Sequence, residues 1–321
     1  MARRKPRVLI VGLPYFGRML ESVLRARGWD ATYAAHPGRN PLGWLALVPK
    51  LLRADLLYFI GTRVDRRSPQ AMLMRLWRRP ALVHWVGTDV LIALDEHRAG
   101  RAARTIRRKP VHWCDAPWLA AELAEMGVHA DYVPLPAVGL ASGDPPPLPE
   151  RFRVLLYLPV DDFDREVFDI ATLLRLPAAL PEAAFTLVPS PPETLPGPLP
   201  PNLEARPWVH DMDALYRETT VLVRLTSHDG TSFMVLEALS RGRYAIWPFP
   251  MPGAVRARGF DEVKAVLGAL LERHRRGSLG LNESGMRAIR KEFDREQLEA
   301  QLDSRLRDIL RAHRRKKRAA K

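Results

Sequence analysis

Residues 223–247 read VRLTSHDGTSFMVLEALSRGRYAIW, and this stretch decides the fold. An apolar run ends in a polar turn at residues 227–232, and a helix-like segment follows over residues 233–241. Gly242 closes that segment, and a second apolar run, residues 244–247, comes directly after it. A strand, a loop that opens a helix and a second strand are the repeating unit of a parallel sheet. The stretch therefore predicts an α/β protein.

The turn before the predicted helix has the features of an anion-binding site. Thr231 or Ser232 can cap the helix, whose first turn leaves backbone N–H groups unpaired and carries partial positive charge. Asp229 lies in the turn, and Glu237 lies about two helical turns further along. Both carboxylates can therefore face a ligand at the strand ends.

Asp229, seven intervening residues and then Glu237, followed by Gly242, resemble the acidic-x7-Glu motif of retaining GT-B glycosyltransferases of the family 4 type. In that family the first acidic residue and the amides after it contact the donor sugar, and the second carboxylate binds the hydroxyls of the nucleotide ribose. The resemblance implies these roles for Asp229 and Glu237. An ordinary helix with Glu237 as a solvated residue is the alternative. The turn residues that would supply amides and hydroxyls are Gly230, Thr231 and Ser232.

The length and composition of the chain exclude several classes of protein. A chain of 321 residues has room for two α/β domains, each with its own core. No apolar run approaches the ~20 residues that a membrane span needs, and the basic start leads directly into a strand. One cysteine, Cys114, excludes an internal disulfide and a cysteine zinc site. These features predict a cytoplasmic protein, with a peripheral position on the inner face of the membrane as the alternative.

Positive charge is concentrated in the N-terminal half and at the C-terminus. Residues 1–140 hold 22 Lys/Arg and 11 Asp/Glu, residues 141–310 hold 21 and 25, and the last eleven residues carry a charge of +7. This asymmetry suggests an anionic membrane surface or a phosphate-bearing acceptor lipid as a partner. Nucleic acid is not expected, because basic and aromatic residues are not interleaved. An arginine-rich proteome explains the abundance of arginine equally well.

A first sheet is predicted over residues 1–138, where six apolar runs alternate with helix-like segments. The loop after the first strand, residues 12–17, carries two glycines but lacks the dinucleotide-binding G-x-G-x-x-G pattern. The resemblance places such a first loop near the cleft between the domains, so Gly12 and Gly17 are candidate donor contacts. A plain turn between strand and helix is the alternative.

Residues 84–89 read HWVGTD and are similar to the His-Gly-x-Asp-like turn of many family 4 enzymes. Val86 occupies the position usually held by histidine, and His84 points to the same side of the strand. His84 is therefore a candidate catalytic residue, with a core histidine as the alternative. Asp89 follows the strand's carboxyl end, where α/β proteins bind ligands, and its alternative role is to cap the next helix.

Two further patterns in the N-terminal half favour ordinary structural roles. Residues 42–53 and 72–77 are rich in apolar side chains, which we expect in the core rather than in a patch for a lipid acceptor. Residues 97–109 contain five arginines at helical spacing, which predicts one solvated helix face, with membrane docking as the alternative.

A proline-rich segment, residues 139–151, predicts a linker to a second domain over residues 152–285. In the family, the loop after the first strand of this domain holds a glycine and an Arg/Lys pair that bind the donor pyrophosphate. Residues 159–165 instead hold aspartates and one arginine. Either another cation (Arg206, Arg224 or Arg243) substitutes for the pair, or donor binding is weakened or lost.

The pair Asp162 and Asp164 mimics the metal-binding D-x-D motif of GT-A glycosyltransferases. A chain with two Rossmann-like halves fits the GT-A class poorly, so no metal is expected. The last segment, residues 286–321, is expected to contain a helix that crosses back to the first domain and then a basic tail. The helix is predicted from about residue 283 to residue 313, and the tail, residues 314–321, is predicted to be disordered.

The resemblance to the family 4 glycosyltransferases implies that the two Rossmann-like domains face each other across a cleft, which is the GT-B fold. It also implies transfer of a sugar, with retention, from a nucleotide-sugar donor to an unidentified acceptor: a glycan, a lipid-linked sugar or a small molecule. No cofactor is expected besides the nucleotide sugar as co-substrate. The expected catalytic residues are Asp229, Asp89 and His84. The expected donor-binding residues are Gly230, Thr231, Ser232, Glu237, Arg224, Gly12 and Gly17.

The main alternative is a non-catalytic GT-B-like binding protein. The missing cation pair motivates it, and so does Asp229, because the family usually has glutamate there. A nucleic-acid-binding protein is a third interpretation and is based on charge alone.

Overall fold

The structure, a computed structural model, describes residues 4–38, 40–62, 64–160, 165–195 and 197–319. The chain divides into two compact units, each built on one parallel sheet. The first unit comprises residues 1–138, 229–231 and 295–321, and the second comprises residues 139–228 and 232–294. The prediction of two parallel-sheet α/β domains is confirmed.

The two sheets contain eleven strands among the described residues, and twelve α-helices surround them. The strands are β1 (Arg7–Gly12), β2 (Asp30–Ala35), β3 (Leu56–Ile60), β4 (Ala81–Trp85), β5 (Val111–Cys114), β6 (Asp131–Tyr132), β7 (Arg153–Tyr157), β8 (Ala184–Val188), β9 (Leu203–Ala205), β10 (Val221–Val223) and β11 (Tyr244–Ile246). The helices are α1 (Pro14–Ala26), α2 (Pro41–Arg53), α3 (Pro69–Leu76), α4 (Thr88–Arg98), α5 (Arg104–Arg108), α6 (Pro117–Glu125), α7 (Ile170–Ala179), α8 (Met212–Arg217), α9 (Phe233–Ser240), α10 (Gly259–Arg275), α11 (Glu283–Glu292) and α12 (Arg295–Ala319).

The strand order is β2-β1-β3-β4-β5-β6 in the first sheet and β11-β10-β7-β8-β9 in the second. Every strand pair is parallel. The interior strands β3 and β8 are buried at every position because helices cover both faces of a parallel sheet. The order changes direction between β1 and β3 and between β7 and β10. Ligands of open α/β sheets bind beside such points, at the carboxyl ends of the strands.

The expectation that the apolar side chains of α2 and α3 belong to the core is wrong for one side of each helix. Leu47 and Leu51 of α2 are buried in the core of the first unit, and so is Met74 of α3. The opposite sides of both helices are exposed, because only one side of each can face the sheet. The exposed apolar residues of the two helices are Leu42, Leu45, Val48, Leu52, Met72 and Leu76.

The arginine-rich segment over residues 97–109 does not form one helix face. Helix α4 ends at Arg98, and α5 begins only at Arg104. Gly100 adopts a φ of +70° between them, a conformation that ends a right-handed helix and that glycine adopts without strain. Arg98 therefore lies in α4 and Arg101 lies between the helices, whereas the other three arginines lie in α5.

The single helix predicted from about residue 283 to residue 313 is two helices, α11 and α12. Phe293, which follows α11, is buried in the protein interior. The predicted disordered tail is also wrong as far as residue 319, because α12 continues to Ala319 through good helix formers. Helix α7 was not predicted, although Asp169 caps it by accepting the amide of Thr172 at 3.1 Å.

Within the described ranges, no helix is both long enough and apolar enough to cross a bilayer. The pair Asp162 and Asp164 lies outside the described residues.

Candidate functional site

Ser232 caps α9, and it is one of the two residues that were predicted as possible caps. Its hydroxyl accepts the amide of Val235 at 3.4 Å, and Gly242 follows the helix with a φ of +68°. Thr231, the other candidate, is bound elsewhere. Its hydroxyl donates to the backbone carbonyl of Asp115 at 2.5 Å, and its amide donates to Oδ2 of Asp115 at 3.3 Å. Residues 229–231 are thus held by the residue that directly follows β5.

Asp115 is a buried carboxyl group that the sequence analysis did not select. Burial raises its pKa well above the usual range, and the charges of Asp89 and Asp229 raise it further. Its Oδ1 atom has no hydrogen-bond partner among the described residues. Three carboxyl groups therefore interact in the first unit: those of Asp89, Asp115 and Asp229.

Gly230 and Gly87 let two backbone segments approach closely beside this acidic group. A Cβ atom on Gly230 would lie 2.3 Å from the carbonyl oxygen of Val86 and 2.7 Å from Oδ1 of Asp115. A Cβ atom on Gly87 would lie 2.7 Å from the amide nitrogen of Gly230, and the φ of Gly87 is +132°. No larger residue fits at either position without displacing the backbone.

Asp89 lies in the first turn of α4, and its side chain faces that turn. Oδ1 accepts the amide of Val86 at 3.0 Å and the amide of Val90 at 3.1 Å. This geometry agrees with the alternative role, in which Asp89 stabilises the start of the helix. The proximity of Asp89 to Asp115 also keeps it in the acidic group of the first unit.

His84 lies inside the core of the first unit. This position agrees with the alternative to a catalytic role, a core histidine. Its Nδ1 is 2.7 Å from the hydroxyl of Tyr58, and its Nε2 is 2.9 Å from the carbonyl oxygen of Val133. A carbonyl only accepts hydrogen bonds, so Nε2 carries the proton and Nδ1 accepts from Tyr58. Burial lowers the pKa of His84 to about 3, which keeps the ring neutral.

Gly12 and Gly17 have packing roles in the first unit. A Cβ atom on Gly12 would lie 1.8 Å from the carbonyl oxygen of Ile60, and one on Gly17 would lie 2.3 Å from the ring of Tyr33. The hydroxyl of Tyr33 also donates to the Gly12 carbonyl at 3.0 Å. Close packing therefore accounts for both glycines without a ligand.

A groove of about 570 Å³ adjoins α1 in the first unit. Its lining combines apolar side chains with two guanidinium groups, those of Arg18 and Arg295. Arg295 also pairs with Glu299 at 2.7 Å, whereas Arg18 is exposed. The groove offers both apolar and cationic contacts to a ligand.

Glu237 is partly buried in the second unit, which distinguishes it from a solvated helix residue. Its Oε2 atom accepts the hydroxyl of Tyr216 at 3.0 Å. Burial raises the pKa of Glu237, whereas the hydrogen bond from Tyr216 and the charge of Arg241 lower it. A Cβ atom on Gly139 would lie 2.4 Å from Oε1, so the carboxylate packs closely against the backbone at Gly139. The orientation of Glu237 is thus fixed by Tyr216 and the nearby backbone.

Arg241 contacts several of the groups that surround Glu237. Its guanidinium donates to the carbonyls of Gly139 at 2.9 Å and Glu237 at 3.1 Å, and it forms an ion pair with Asp213. The same group lies 4.9 Å from the centre of the Tyr216 ring. The side chain of Glu237 therefore lies in a polar environment formed by Tyr216, Arg241 and the backbone of Gly139.

Three arginines were expected to substitute for the missing pyrophosphate-binding pair, and their environments differ. Arg206 is paired with Glu204 at 2.7 Å and Glu218 at 3.3 Å. Arg243 is fully buried and donates to two backbone carbonyls, and burial lowers its pKa to about 10. Arg224 instead lies over two aromatic rings, those of Tyr157 at 4.6 Å and Phe168 at 5.1 Å.

In the described part of the chain, no group of three or more His, Cys, Asp and Glu side chains is arranged to hold a metal ion. The expected independence from metals stays a prediction. The residues that the sequence analysis missed are Asp115, Tyr216 and Arg241. A signal for Asp115 was available, because it directly follows a strand of a parallel sheet, as Asp89 nearly does.

No protein-family model matches this sequence, and a search of the curated proteins finds no match. Solved structures do match. The sucrose-phosphate synthase of Thermosynechococcus elongatus superposes with a TM-score of 0.69 at 15% identity, over 96% of this chain and 100% of that one. HepE of Anabaena, in complex with UDP-glucose, gives 0.65 at 11% identity, over 94% of this chain and 99% of HepE. A glycosyltransferase from Rickettsia africae gives 0.65 at 8% identity, over 96% and 99%. The chain therefore has the fold of the GT-B glycosyltransferases.

Proposed function

We propose that this protein is a glycosyltransferase of the retaining, family 4 type that takes its sugar from a nucleotide-sugar donor. The observation that carries the proposal is the carboxylate of Glu237, which lies in α9, eight residues after Asp229, and is oriented by Tyr216 of α8. Pre-formed carboxylates of this kind bind vicinal hydroxyls such as those of a ribose. HepE, a structure with the same fold, holds UDP-glucose in one crystal and UDP with glucose in another.

The roles of the residues are those that the resemblance to family 4 implies, and the chemistry of each side chain is compatible with its role. Glu237 accepts hydrogen bonds from the ribose hydroxyls, and Asp229 accepts them from the donor sugar. The partial positive charge at the start of α9 and the guanidinium of Arg224 stabilise the negative charge that develops on the leaving diphosphate. The donor's C1–O bond breaks, the nucleoside diphosphate leaves with the electron pair, and the acceptor oxygen bonds to C1 on the same face and loses its proton.

Several parts of this proposal remain predictions. They include the retaining outcome, transfer of a hexose, a role in polysaccharide biosynthesis, a cytoplasmic location and an anionic membrane surface as a partner. The acceptor is unidentified, and a glycan, a lipid-linked sugar and a small molecule remain open.

Ligand-induced changes in melting temperature test the donor site. UDP, GDP, ADP and their sugars are added to the wild type, to Glu237→Ala and to Glu292→Ala, which removes an exposed carboxylate from the same unit. A ligand at about 100 times its Kd stabilises a protein by roughly 2.7 kcal/mol. We expect one nucleotide to stabilise the wild type and Glu292→Ala but not Glu237→Ala. If Glu237→Ala keeps the full shift, the assigned role of Glu237 is wrong.

A non-catalytic binding protein is the second candidate, favoured by Asp229 in place of glutamate. An assay for free nucleoside diphosphate separates the enzyme from the binding protein. The protein is incubated with the nucleotide sugar that shifts its melting temperature. An enzyme of this class releases the nucleoside diphosphate, at least slowly to water, whereas a binding protein leaves the nucleotide sugar intact.

A further inference from the structure

Helices α2 and α3 present an apolar surface on the outside of the first unit. We refer to it as the α2–α3 face, and it consists of Leu42, Leu45, Val48, Leu52, Met72 and Leu76. The exposed fractions of Leu42, Leu45 and Leu52 are 73%, 65% and 70%. Those of Met72 and Leu76 are 62% and 81%. Large apolar side chains are seldom this exposed as a group unless the surface binds something.

The spacing of these residues places them on one side of each helix. Leu42, Leu45 and Leu52 are separated by three and seven positions, and Met72 and Leu76 by four, so each set forms a strip along its helix. The inward side of α2 carries other leucines, among them the buried Leu47. A helix on the surface of a globular protein ordinarily has a polar outer side, and α2 has apolar residues on both.

The two helices lie on the same face of the first sheet. Leu47 of α2 and Met74 of α3 belong to one core cluster, which also contains Phe59 of β3. At their C-terminal ends Arg79, just after α3, donates to the carbonyl of Leu52 at 3.0 Å and to that of Ala54. The exposed strips of the two helices are therefore parts of one surface.

Positive charges predominate in the segment that carries this surface. Residues 40–80 contain eight Lys/Arg and two Asp/Glu, and neither α2 nor α3 contains an acidic residue. One of the two acidic residues, Asp55, is paired with Arg4 at 3.0 Å. The exposed cations at the helices and just after them include Lys50, Arg53, Arg75 and Arg78.

Apolar side chains bordered by cations match one partner best. A second copy of this chain would bring two strongly positive surfaces together, which electrostatic repulsion opposes. An acidic protein would match the charge but not the leucines, which need an apolar environment. A bilayer with anionic lipids offers an acyl region for the leucines and phosphates for the cations.

We propose that the α2–α3 face docks the protein on an anionic lipid bilayer. The leucines enter the boundary between headgroups and acyl chains, and Lys50, Arg53, Arg75 and Arg78 lie at the headgroup phosphates. The two helices lie parallel to the membrane surface and do not cross it. This inference assigns to one surface the anionic membrane contact that the proposed function includes. It does not depend on the proposed transfer activity, because it depends only on the surface of the first unit.

Vesicle flotation tests the proposal with the full chain. Vesicles contain phosphatidylcholine alone or phosphatidylcholine with phosphatidylglycerol. The variants are Leu45→Ser/Leu52→Ser and, as the control, Trp208→Ser, whose side chain is 70% exposed in the second unit. We expect the wild type and the control to float with the anionic vesicles only. The double variant should partition at least about tenfold more weakly, because two apolar side chains no longer enter the bilayer.

Charge and insertion are separated by a second pair of variants. Lys50→Gln/Arg53→Gln should weaken binding and reduce its dependence on salt. A chain truncated after residue 313 should still bind, because the basic end of α12 is not part of the α2–α3 face. Equal melting temperatures show that the variants fold, since the substituted side chains are exposed.

Three results would overturn the proposal. The first is a wild type that does not bind anionic vesicles. The second is undiminished flotation of Leu45→Ser/Leu52→Ser, and the third is loss of binding on truncation after residue 313 alone. A dimer in sedimentation equilibrium that dissociates in the double leucine variant would assign the face to self-association instead.

Discussion

The carboxyl group of Asp115 and the backbone of Thr231 are joined at the end of β5, where Oδ2 accepts the Thr231 amide at 3.3 Å. The Thr231 hydroxyl completes the link by donating to the Asp115 carbonyl at 2.5 Å. Residue 231 is two positions after Asp229, the candidate sugar-binding residue. Asp115 therefore positions the turn and does not itself need to contact a ligand.

Replacing Asp115 should release this turn. In Asp115→Ala the buried Thr231 amide loses its acceptor, which costs on the order of 1–3 kcal/mol. Asp115→Asn keeps a side-chain oxygen and should retain most of the order. Hydrogen exchange of the amides of residues 230–232 should accelerate in the alanine variant and change little in the asparagine variant. Equal exchange in the alanine variant and the wild type would show that Asp115 does not hold the turn.

The raised pKa of Asp115 gives its contribution to stability a definite sign. The folded state retains the proton to a higher pH than the unfolded chain, whose carboxyl has a pKa of 3.8. The stability contributed by Asp115 is therefore complete below pH 3.8 and is lost as the pH rises towards the raised pKa. We expect Asp115→Asn to gain stability relative to the wild type between pH 4 and pH 8. Urea unfolding of both proteins across this range measures the difference, and a constant difference would contradict the assignment.

His84 has the opposite dependence on pH. Its pKa falls from 6.5 in the unfolded chain to about 3 in the core, so acid protonates the unfolded chain first. The stability is complete above pH 6.5 and is lost as the pH falls towards 3. Between pH 6.5 and pH 5 the contribution of His84 to the free energy of unfolding should fall by roughly 1–2 kcal/mol. His84→Gln should flatten this slope, although His112, whose pKa is lowered to about 4, preserves part of it. An unchanged slope in the variant would rule out His84 as the cause.

The hydroxyl of Tyr216 should matter more to nucleotide binding than to folding. In Tyr216→Phe the Glu237 carboxylate loses the hydrogen bond of 3.0 Å that orients it. The free energy of unfolding should fall by only about 1 kcal/mol, because the ring still fills its place. If Glu237 binds the donor, the Kd for the stabilising nucleotide should rise several-fold in calorimetric titration. An unchanged Kd would mean that the orientation of Glu237 does not affect binding.

The sequence predicted the architecture because short local patterns determine it. Apolar runs defined the strands, Gly242 marked the end of α9, and Ser232 was one of two expected caps. The sequence could not show which candidates would meet in space. Asp115 and Thr231 are 116 positions apart, and no local pattern joins them.

The outer side of α2 was misjudged for a related reason. An apolar helix of 13 residues contributes leucines to the core and to the surface alike, and composition does not say which side faces the sheet. The role of His84 was also undecided from the sequence, because a strand position allows either a core or a ligand-facing side chain. Its two hydrogen bonds come from β3 and from the segment after β6, and only the folded chain brings these together.

Substitution of two helical glycines by alanine separates the effect of close packing on stability from the effect of helix propensity. Gly17 in α1 and Gly268 in α10 both lie within helices and have ordinary helical φ angles. A Cβ atom on Gly17 would lie 2.3 Å from the Tyr33 ring, whereas one on Gly268 would meet nothing within 4 Å. Gly268→Ala should therefore stabilise the second unit by up to about 1 kcal/mol, because alanine favours the helix.

Gly17→Ala gains the same propensity but must displace a ring of the first unit. The displacement should outweigh the gain and lower the free energy of unfolding by about 1–3 kcal/mol. Urea unfolding of both variants beside the wild type measures the two effects. The double variant Gly17→Ala/Tyr33→Ala removes the ring and should recover the stability lost to the clash when it is compared with Tyr33→Ala alone. If Gly17→Ala still destabilises the chain without the Tyr33 ring, contact with that ring is not the reason for glycine at this position.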